Sequence, residues 1–294
     1  MGLFDGLAKF GIVQLNTDDL YNDKEEQNLK EAGKIEKVEV PKEKPKVNEK
    51  DFIFEKAYEC PVCEFKFKEM TVKTSRAGVV KLEKTLRPVC DGIEPIKYEM
   101  ISCPMCGYTT MNRYFGPIMP RQKKMFIDDI GRNYPGNKYY KPGVISFDTA
   151  LERIELALAT AMVKMTKDSE KACICLKGKW LCEAYIDVLL EEDPDNEELI
   201  KTVKEKGKEF HEFAYEGLIK ARQSESFPIA GMDSVTLDYL LAEMAAESGK
   251  YDVASKLISS LLQNQTIPKR IKDKARDLKD EIIDILKNNK KASE

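Results

Sequence analysis

Histidine is nearly absent from this chain, which has one such residue, His211, in 294. A single imidazole excludes sites that need two, such as the His-Glu-x-x-His helix of metalloproteases. A lone histidine within a helical pattern is also more typical of a surface or boundary position than of a general base. A Walker loop, a Rossmann glycine fingerprint and a Gly-x-Ser-x-Gly elbow are absent as well. The sequence therefore offers no catalytic residue and favours a non-enzymatic protein.

Charge of one sign and long apolar runs are also lacking. The chain has 48 Lys and Arg against 51 Asp and Glu, a net charge of -3, so its composition as a whole gives no electrostatic reason to expect nucleic acid. No apolar run reaches the roughly 18 residues of a transmembrane helix. No secretion signal is recognisable, which favours a reducing cytoplasm. We therefore expect a cytoplasmic protein, and its 42% hydrophobic content can support a core.

Cysteine, in contrast, forms a clear pattern. The chain contains Cys60-Pro-Val-Cys63 and Cys103-Pro-Met-Cys106. Two residues between cysteines let one tight turn direct both sulfurs inward, and four thiolates complete the tetrahedral coordination of zinc without an open position for water. The sequence therefore predicts one structural Zn²⁺ bound by Cys60, Cys63, Cys103 and Cys106.

The remaining cysteines fit this interpretation less directly. Cys173, Cys175 and Cys182 occur in an apolar helical stretch, where small buried side chains are the ordinary reading. Cys90 lies between the two pairs and could approach the metal, although a fifth ligand would overfill a tetrahedral site. A thiol redox role for the pairs is an alternative, but a thioredoxin-like site needs a pair at a helix start, and two matched pairs favour a shared metal.

The first 50 residues divide into two parts. In residues 1–20, four large apolar side chains recur at helical spacing: Leu3, Phe4, Leu7 and Phe10. This short amphipathic segment fits docking on protein, with weak contact to a membrane surface as the alternative. Residues 21–50 are rich in Lys and Glu and poor in large apolar side chains, which predicts a charged, disordered linker.

Residues 51–110 show the period-2 alternation of strands, and we expect a small antiparallel zinc-ribbon-like module with a hairpin around residues 75–78. Residues 111–145 form a basic and aromatic connector, in which several prolines are expected to prevent regular elements. The connector has seven Lys and Arg against two Asp, a local charge of 7 - 2 = +5. Nucleic-acid binding by the ribbon and connector is therefore an alternative, the other reading being that the aromatics seal the ribbon against the helices.

Residues 146–290 have helical periodicity throughout. Ser146 is placed to cap the first helix, and Asp193 is placed to cap a later helix that starts at Pro194. Several positions fit the offsets of a tetratricopeptide helix pair: Leu241, Ala242, Gly249, Tyr251 and Ala254. We expect an all-helical, repeat-like domain that presents a surface to a protein or peptide partner.

The order of these features resembles the uncharacterised bacterial family known as domain of unknown function 2225. The resemblance runs from about residue 57 to the end of the chain and depends on four parts. They are the first cysteine pair, residues 95–99 leading into Cys103-Pro-Met-Cys106-Gly107-Tyr108, the helix with Trp180, and the helix pair over residues 240–254. The resemblance implies a zinc ribbon followed by helices and a bacterial cytoplasmic setting, and it implies no reaction. The predicted fold class is α+β, and the predicted function is protein interaction.

Overall fold

The computed structural model describes residues 3–10, Thr17, Leu20, 48–265 and 267–291. Most of the predicted linker over residues 21–50 lies outside these residues. The chain is an α+β protein, as predicted, with short strands in its first part and long helices in its second. Among the described residues, none of the helices combines the length and apolar character required to cross a membrane.

Within the described residues, the strands form three antiparallel two-stranded pairs: β1 (Ile53–Glu59) with β2 (Lys66–Val72), β3 (Val79–Leu82) with β4 (Pro88–Cys90), and β5 (Met100–Ser102) with β6 (Thr109–Met111). The prediction of a hairpin around residues 75–78 is wrong. The chain turns there, but β2 pairs along its whole length with β1, and β3 pairs with β4. The first and third hairpins each carry a cysteine pair in their turn.

The helices follow in chain order: α1 (Pro120–Phe126), α2 (Phe147–Val163), α3 (Asp168–Glu192), α4 (Glu197–Ser224), α5 (Ser234–Glu247), α6 (Tyr251–Gln263) and α7 (Lys269–Lys291). Ser146 caps α2, as predicted, because its side chain accepts a hydrogen bond from the backbone N–H of Thr149. The prediction for Asp193 is wrong. Asp193 ends α3, and the side chain of Asn196 caps α4 instead.

The connector contains more regular structure than its prolines suggested. Helix α1 begins at Pro120, where the ring's fixed φ suits the first helical position and the missing N–H removes no hydrogen bond. Its last residue, Phe126, is fully buried. The prediction that proline would break every element here is therefore wrong for residues 120–126.

The core runs without interruption from the hairpins into the helices. Helix α3 packs along α4, and Gly178 permits a close approach there, since an added Cβ would lie 2.6 Å from the Phe210 ring. Cys173, Cys175 and Cys182 are buried, as predicted. At the other end of the chain, Leu3 and Leu7 are also fully buried, in a turn that contacts α2.

Ion pairs join the hairpins to the helices. The buried carboxylate of Glu69 on β2 accepts a hydrogen bond of 2.8 Å from Arg153 on α2. Arg87, which follows β3, donates to Asp187 on α3 over 2.7 Å. Glu69 and Arg153 are both buried, so their contact joins the hairpins to α2 through the interior, whereas Asp187 on α3 remains exposed.

Candidate metal centre

The first cysteine pair lies in the turn between β1 and β2. The backbone N–H of Cys60 donates to the carbonyl of Phe65 (3.0 Å), and the N–H of Glu64 donates to the carbonyl of Cys60 (2.9 Å). Glu64 has φ of +62°, the left-handed conformation that lets the chain reverse after the second cysteine. The backbone N–H of Val62 also points at Cys60 Sγ (3.4 Å), a contact that favours a thiolate.

The second pair, between β5 and β6, repeats this geometry. The N–H of Cys103 donates to the carbonyl of Tyr108 (2.9 Å), and the N–H of Gly107 donates to the carbonyl of Cys103 (2.9 Å). Gly107 has φ of +74° and corresponds to Glu64 of the first turn. Glycine is required here for two reasons: its positive φ is unfavourable for other residues, and a Cβ would lie 2.4 Å from the ring of Tyr134. Two separate hairpin turns thus present their cysteines in the same way.

The two turns face each other, so that the four sulfurs form one cluster. Cys60 Sγ lies 3.6 Å from Cys106 Sγ, and Cys63 Sγ lies 3.6 Å from Cys103 Sγ. All four sulfur atoms are within 4.8 Å of one another. Four sulfurs placed about 2.3 Å from a central ion would be about 3.8 Å apart, so the spacing suits a tetrahedral ion.

Burial is unequal among the four cysteines. Cys60, Cys103 and Cys106 are buried, whereas Cys63 is exposed. All four positions of a tetrahedral ion would be filled by protein, which leaves no coordination site for a substrate. The arrangement therefore suits a structural ion, for which Cys63 would be the ligand on the solvent side.

The clustered thiols perturb one another's ionisation. Hydrogen bonds from Cys106 and Cys60 lower the pKa of Cys103 far below that of an ordinary thiol. Hydrogen bonds with Cys103 and with Cys60, followed by burial, raise the pKa of Cys106, and the hydrogen bond with Cys103 raises the pKa of Cys60. A central cation would require the other thiols to lose their protons as well, so binding would release protons.

The connector covers the second turn. The Tyr134 ring lies against Gly107, and the backbone N–H of Asn137 donates to the carbonyl of Pro104 (2.6 Å). Tyr108, fully buried next to the cysteines, accepts a hydrogen bond from Lys164 at the end of α2 (3.0 Å). Burial lowers the pKa of Lys164. The cysteine cluster is therefore packed between the connector and α2.

The other sequence-based candidates lie elsewhere. Cys90 is not part of the cluster, and its Sγ lies 3.9 Å from the carbonyl of Ala77. Both cysteine pairs lie in hairpin turns and not at a helix start, so neither has the geometry expected of a thioredoxin-like site. His211 is buried and not at a surface or boundary position as expected, and its Nε2 pairs with Ser248 Oγ (2.8 Å) at the end of α5.

The connector's aromatic side chains are mostly used in packing. Phe115 contacts the rings of Tyr58, Phe67 and Tyr108, and Phe126 is fully buried. Tyr139, in contrast, is 91% exposed. These contacts are those expected if the aromatics seal the hairpins against the helices.

Several of the connector's cations already have partners. Arg113 lies over the ring of Tyr114 and donates to Cys173 Sγ (3.2 Å). Arg132 pairs with Asp128 over 2.8 Å, and Lys123 lies 3.7 Å from Glu64. Three of the seven connector cations thus make contacts within the protein, and the nucleic-acid alternative stays a prediction.

Comparison with known families gives one result. A family model described as "Uncharacterized protein conserved in bacteria (DUF2225)" matches residues 53–282. The matched region extends from the start of β1 into α7 and includes both cysteine pairs. No match is found among curated proteins or among solved structures.

Proposed function

This chain belongs to the bacterial family DUF2225, and we propose that it is a non-enzymatic zinc protein. In this proposal, its helical domain binds a peptide partner. The family is described as uncharacterised, so both parts of the proposal are argued from the chain's own residues. The clustering of four cysteine sulfurs within 4.8 Å carries the metal part of this proposal. Thiolates select zinc or iron over the hard cations, and a closed tetrahedral set of four is the usual structural zinc site.

The ion would stabilise the hairpins by joining two turns that lie about 40 residues apart in the chain. These hairpins form the zinc ribbon of the proposal, and the third hairpin rests on α2. We therefore assign Zn²⁺ a structural role, namely to hold this small module in a fixed shape against the helices, in a cytoplasmic protein.

Metal content tests this part directly. We expect one zinc per chain in full-length protein purified without added metal, measured by elemental mass spectrometry and by native mass spectrometry. Removal by a chelator should become easier as the pH falls, because the thiolate ligands are then protonated. A folded chain that contains no metal would overturn the assignment.

The partner site is proposed at a cavity of about 670 Å³ between the β3–β4 turn and helices α5 and α7. One wall is apolar and consists of Leu278, Ile282 and Ile285 on α7, of which Ile285 is 39% exposed. Near its floor, Glu243 is almost fully buried and accepts a hydrogen bond from Tyr239. Lys84 and Lys274 also line the cavity, but Lys84 pairs with Glu281, and among the described residues neither lysine forms an ion pair with Glu243.

A partner that fits these walls is a peptide with apolar side chains and one lysine or arginine. The apolar side chains would contact α7, and the cation would pair with Glu243. Consecutive helices from α3 to α7 pack mostly on their neighbours in the chain, which is the arrangement of helical repeats and supports the proposed repeat-like character.

Selection of peptides from a displayed random library tests this site. We expect the selected peptides to combine apolar side chains with a basic one, and Glu243→Gln to weaken their binding by about tenfold. Leu190→Asp, at an exposed leucine of α3 that does not line the cavity, should leave binding unchanged. Acidic selected peptides, or equal binding to Glu243→Gln, would contradict the proposed partner.

A further inference from the structure

The cavity proposed above as the partner site has an excess of negative charge. Its lining includes three lysines and five carboxylates, a sum of 3 - 5 = -2. Four of the carboxylates each have a lysine or arginine within ion-pair distance: Glu83, Glu183, Glu247 and Glu281. Glu243 is the fifth, and it has no such partner among the described residues. It is therefore the carboxylate with which a cationic ligand would pair.

The carboxylate of Glu243 is held in place and only partly used. Its Oε1 accepts a hydrogen bond from the hydroxyl of Tyr239. Its Oε2 has no hydrogen-bond partner among the described residues, yet it is not sealed from solvent, so a ligand in the cavity can reach it. Burial raises the pKa of Glu243, because a carboxylate with little contact to water is unfavourable in its charged form. A lysine ammonium at Oε2 would supply the missing charge.

The chain itself contains a sequence with the composition that this site requires. It lies within residues 21–47, outside the described residues, where three large apolar side chains occur within six positions: Ile35, Val38 and Val40. Lys37 stands between the first two of them. We call residues 34–40 the linker segment. Its two glutamates would pair with Lys274 in the cavity wall, which has no carboxylate within ion-pair distance among the described residues. The segment thus complements both the apolar wall and the charges of the cavity.

The chain before the linker segment is anchored beside α3. The carbonyl of Leu20 accepts a hydrogen bond from Lys171 Nζ (3.0 Å). Glu183, which lines the cavity, follows on the same helix after 183 - 171 = 12 residues, or ~18 Å at the rise of an α-helix. The 15 residues from Leu20 to Ile35 can span up to ~50 Å. The first half of the linker is therefore long enough to bring the segment to the cavity.

The chain after the linker segment returns close to the same cavity. The carboxylate of Glu49 pairs with Lys97 over 2.8 Å. Three residues before Lys97, Glu94 lies 3.9 Å from Arg87, whose Nε lies 3.8 Å from Glu183 at the cavity wall. The nine residues that separate the segment from Glu49 can span up to ~30 Å. Three side-chain contacts thus connect this anchor to the cavity, and both ends of the linker allow the segment to reach it.

We infer that the linker segment occupies this cavity as an internal ligand, with Lys37 on Glu243 and its apolar side chains on α7, so that a peptide partner has to displace it. The inference rests on the proposed peptide site and concerns the regulation of that site. A tethered segment has an effective concentration of ~1 mM. With a dissociation constant of ~0.1 mM it would fill the cavity about nine-tenths of the time and weaken binding of a partner by about tenfold.

A full-length variant with Ile35→Ser, Val38→Ser and Val40→Ser tests the inference, because it keeps the length and charge of the linker. We expect the library-selected peptides to bind this triple variant about tenfold more tightly than the wild type, measured by fluorescence anisotropy. A synthetic peptide of residues 33–42 should bind the triple variant with a dissociation constant on the order of 0.1 mM. Glu243→Gln, added to the triple variant, should weaken binding of this synthetic peptide by about tenfold.

Leu29→Ser is the matched control, since it removes an apolar side chain from the same linker outside the segment. It should leave binding of the selected peptides unchanged. Equal binding by the wild type and the triple variant, or no binding of the synthetic peptide, would overturn the inference, while the proposed site would stand if the selected peptides still bind. If neither kind of peptide binds the triple variant, the proposed site itself is wrong. A gain in affinity that varies with protein concentration would identify a second copy as the occupant and would also overturn the inference.

Discussion

Cys103→Ser is expected to remove the metal ion and to unfold the two hairpins that it joins. Cys103 is fully buried, and its sulfur lies 3.6 Å from that of Cys63 on the other turn. A hydroxyl is a poor substitute for a thiolate as a zinc ligand, and the free energy of binding a structural zinc is largely free energy of folding. We expect the free energy of unfolding of this part to fall by ~5 kcal/mol or more.

Cys90→Ser is the control for this change. Cys90 lies between the two pairs in the sequence, on β4, but outside the sulfur cluster. The variant should keep one metal ion per chain and shift the unfolding midpoint little. The measurements are metal content by native mass spectrometry and chemical unfolding followed by circular dichroism. Full metal content and unchanged unfolding in Cys103→Ser would show that Cys103 is not a ligand.

The cysteine cluster could be predicted because each half of it is local. Two cysteines separated by two residues within one turn determine most of the geometry, and Gly107 marks the left-handed position in the second turn. The equivalent position in the first turn, Glu64, carries no such signal, because glutamate is not typical of φ near +62°. The pairing of the two turns with each other followed only from the need for four ligands.

Strand pairing was harder to predict because it is not local. The turn residues near 75–78 correctly indicated a change of direction, but they do not determine which strand edges meet. β1 and β2 pair through seven residues around the cysteine turn, so β2 was not available to β3 on that edge. The predicted hairpin failed for this reason.

Helices were predicted better than their ends. The apolar periodicity in residues 146–290 identified the long helices, and Ser146 marked the start of α2. The apolar periodicity does not show where this helix stops: α2 ends at Val163, and Met165, two residues later, is 70% exposed with positive φ. Near α4, Asp193 and Asn196 are both capping residues, and the sequence does not show which one the chain uses.

Buried polar residues could not be found from the sequence. Glu69 stands in a strand beside Lys68, and nothing local marks it as inaccessible to solvent. Its burial depends on Arg153, which is 84 residues away, and on Tyr140 in the connector. The same holds for His211 on α4, whose partner Ser248 caps the end of α5. Such residues become visible only when the elements that carry them have been packed.

Glu69→Ala should produce the second large effect, through loss of this buried ion pair. Glu69 is fully buried and accepts hydrogen bonds from Arg153, from the hydroxyl of Tyr140 and from the backbone N–H of Met70. Burial alone would lower the pKa of Arg153, but Glu69 and Tyr140 raise it, so the guanidinium stays charged. Without Glu69 this buried charge has no counter-ion, which costs ~3–5 kcal/mol in the free energy of unfolding.

Glu55→Ala separates this effect from loss of an ordinary ion pair in the same hairpin. Glu55 on β1 pairs with Lys68 over 2.9 Å at the surface, and such exposed pairs contribute ~0–1 kcal/mol. Urea unfolding of both variants gives the comparison, and equal midpoints would contradict a stabilising role for the buried pair.

Replacing Glu69 and Arg153 together by methionine should recover much of the loss, because no unpaired charge then remains. In Glu69→Ala the sulfur cluster is untouched, so we expect full metal content together with low stability. That combination would show that the ion pair joins the hairpins to α2 independently of the metal ion.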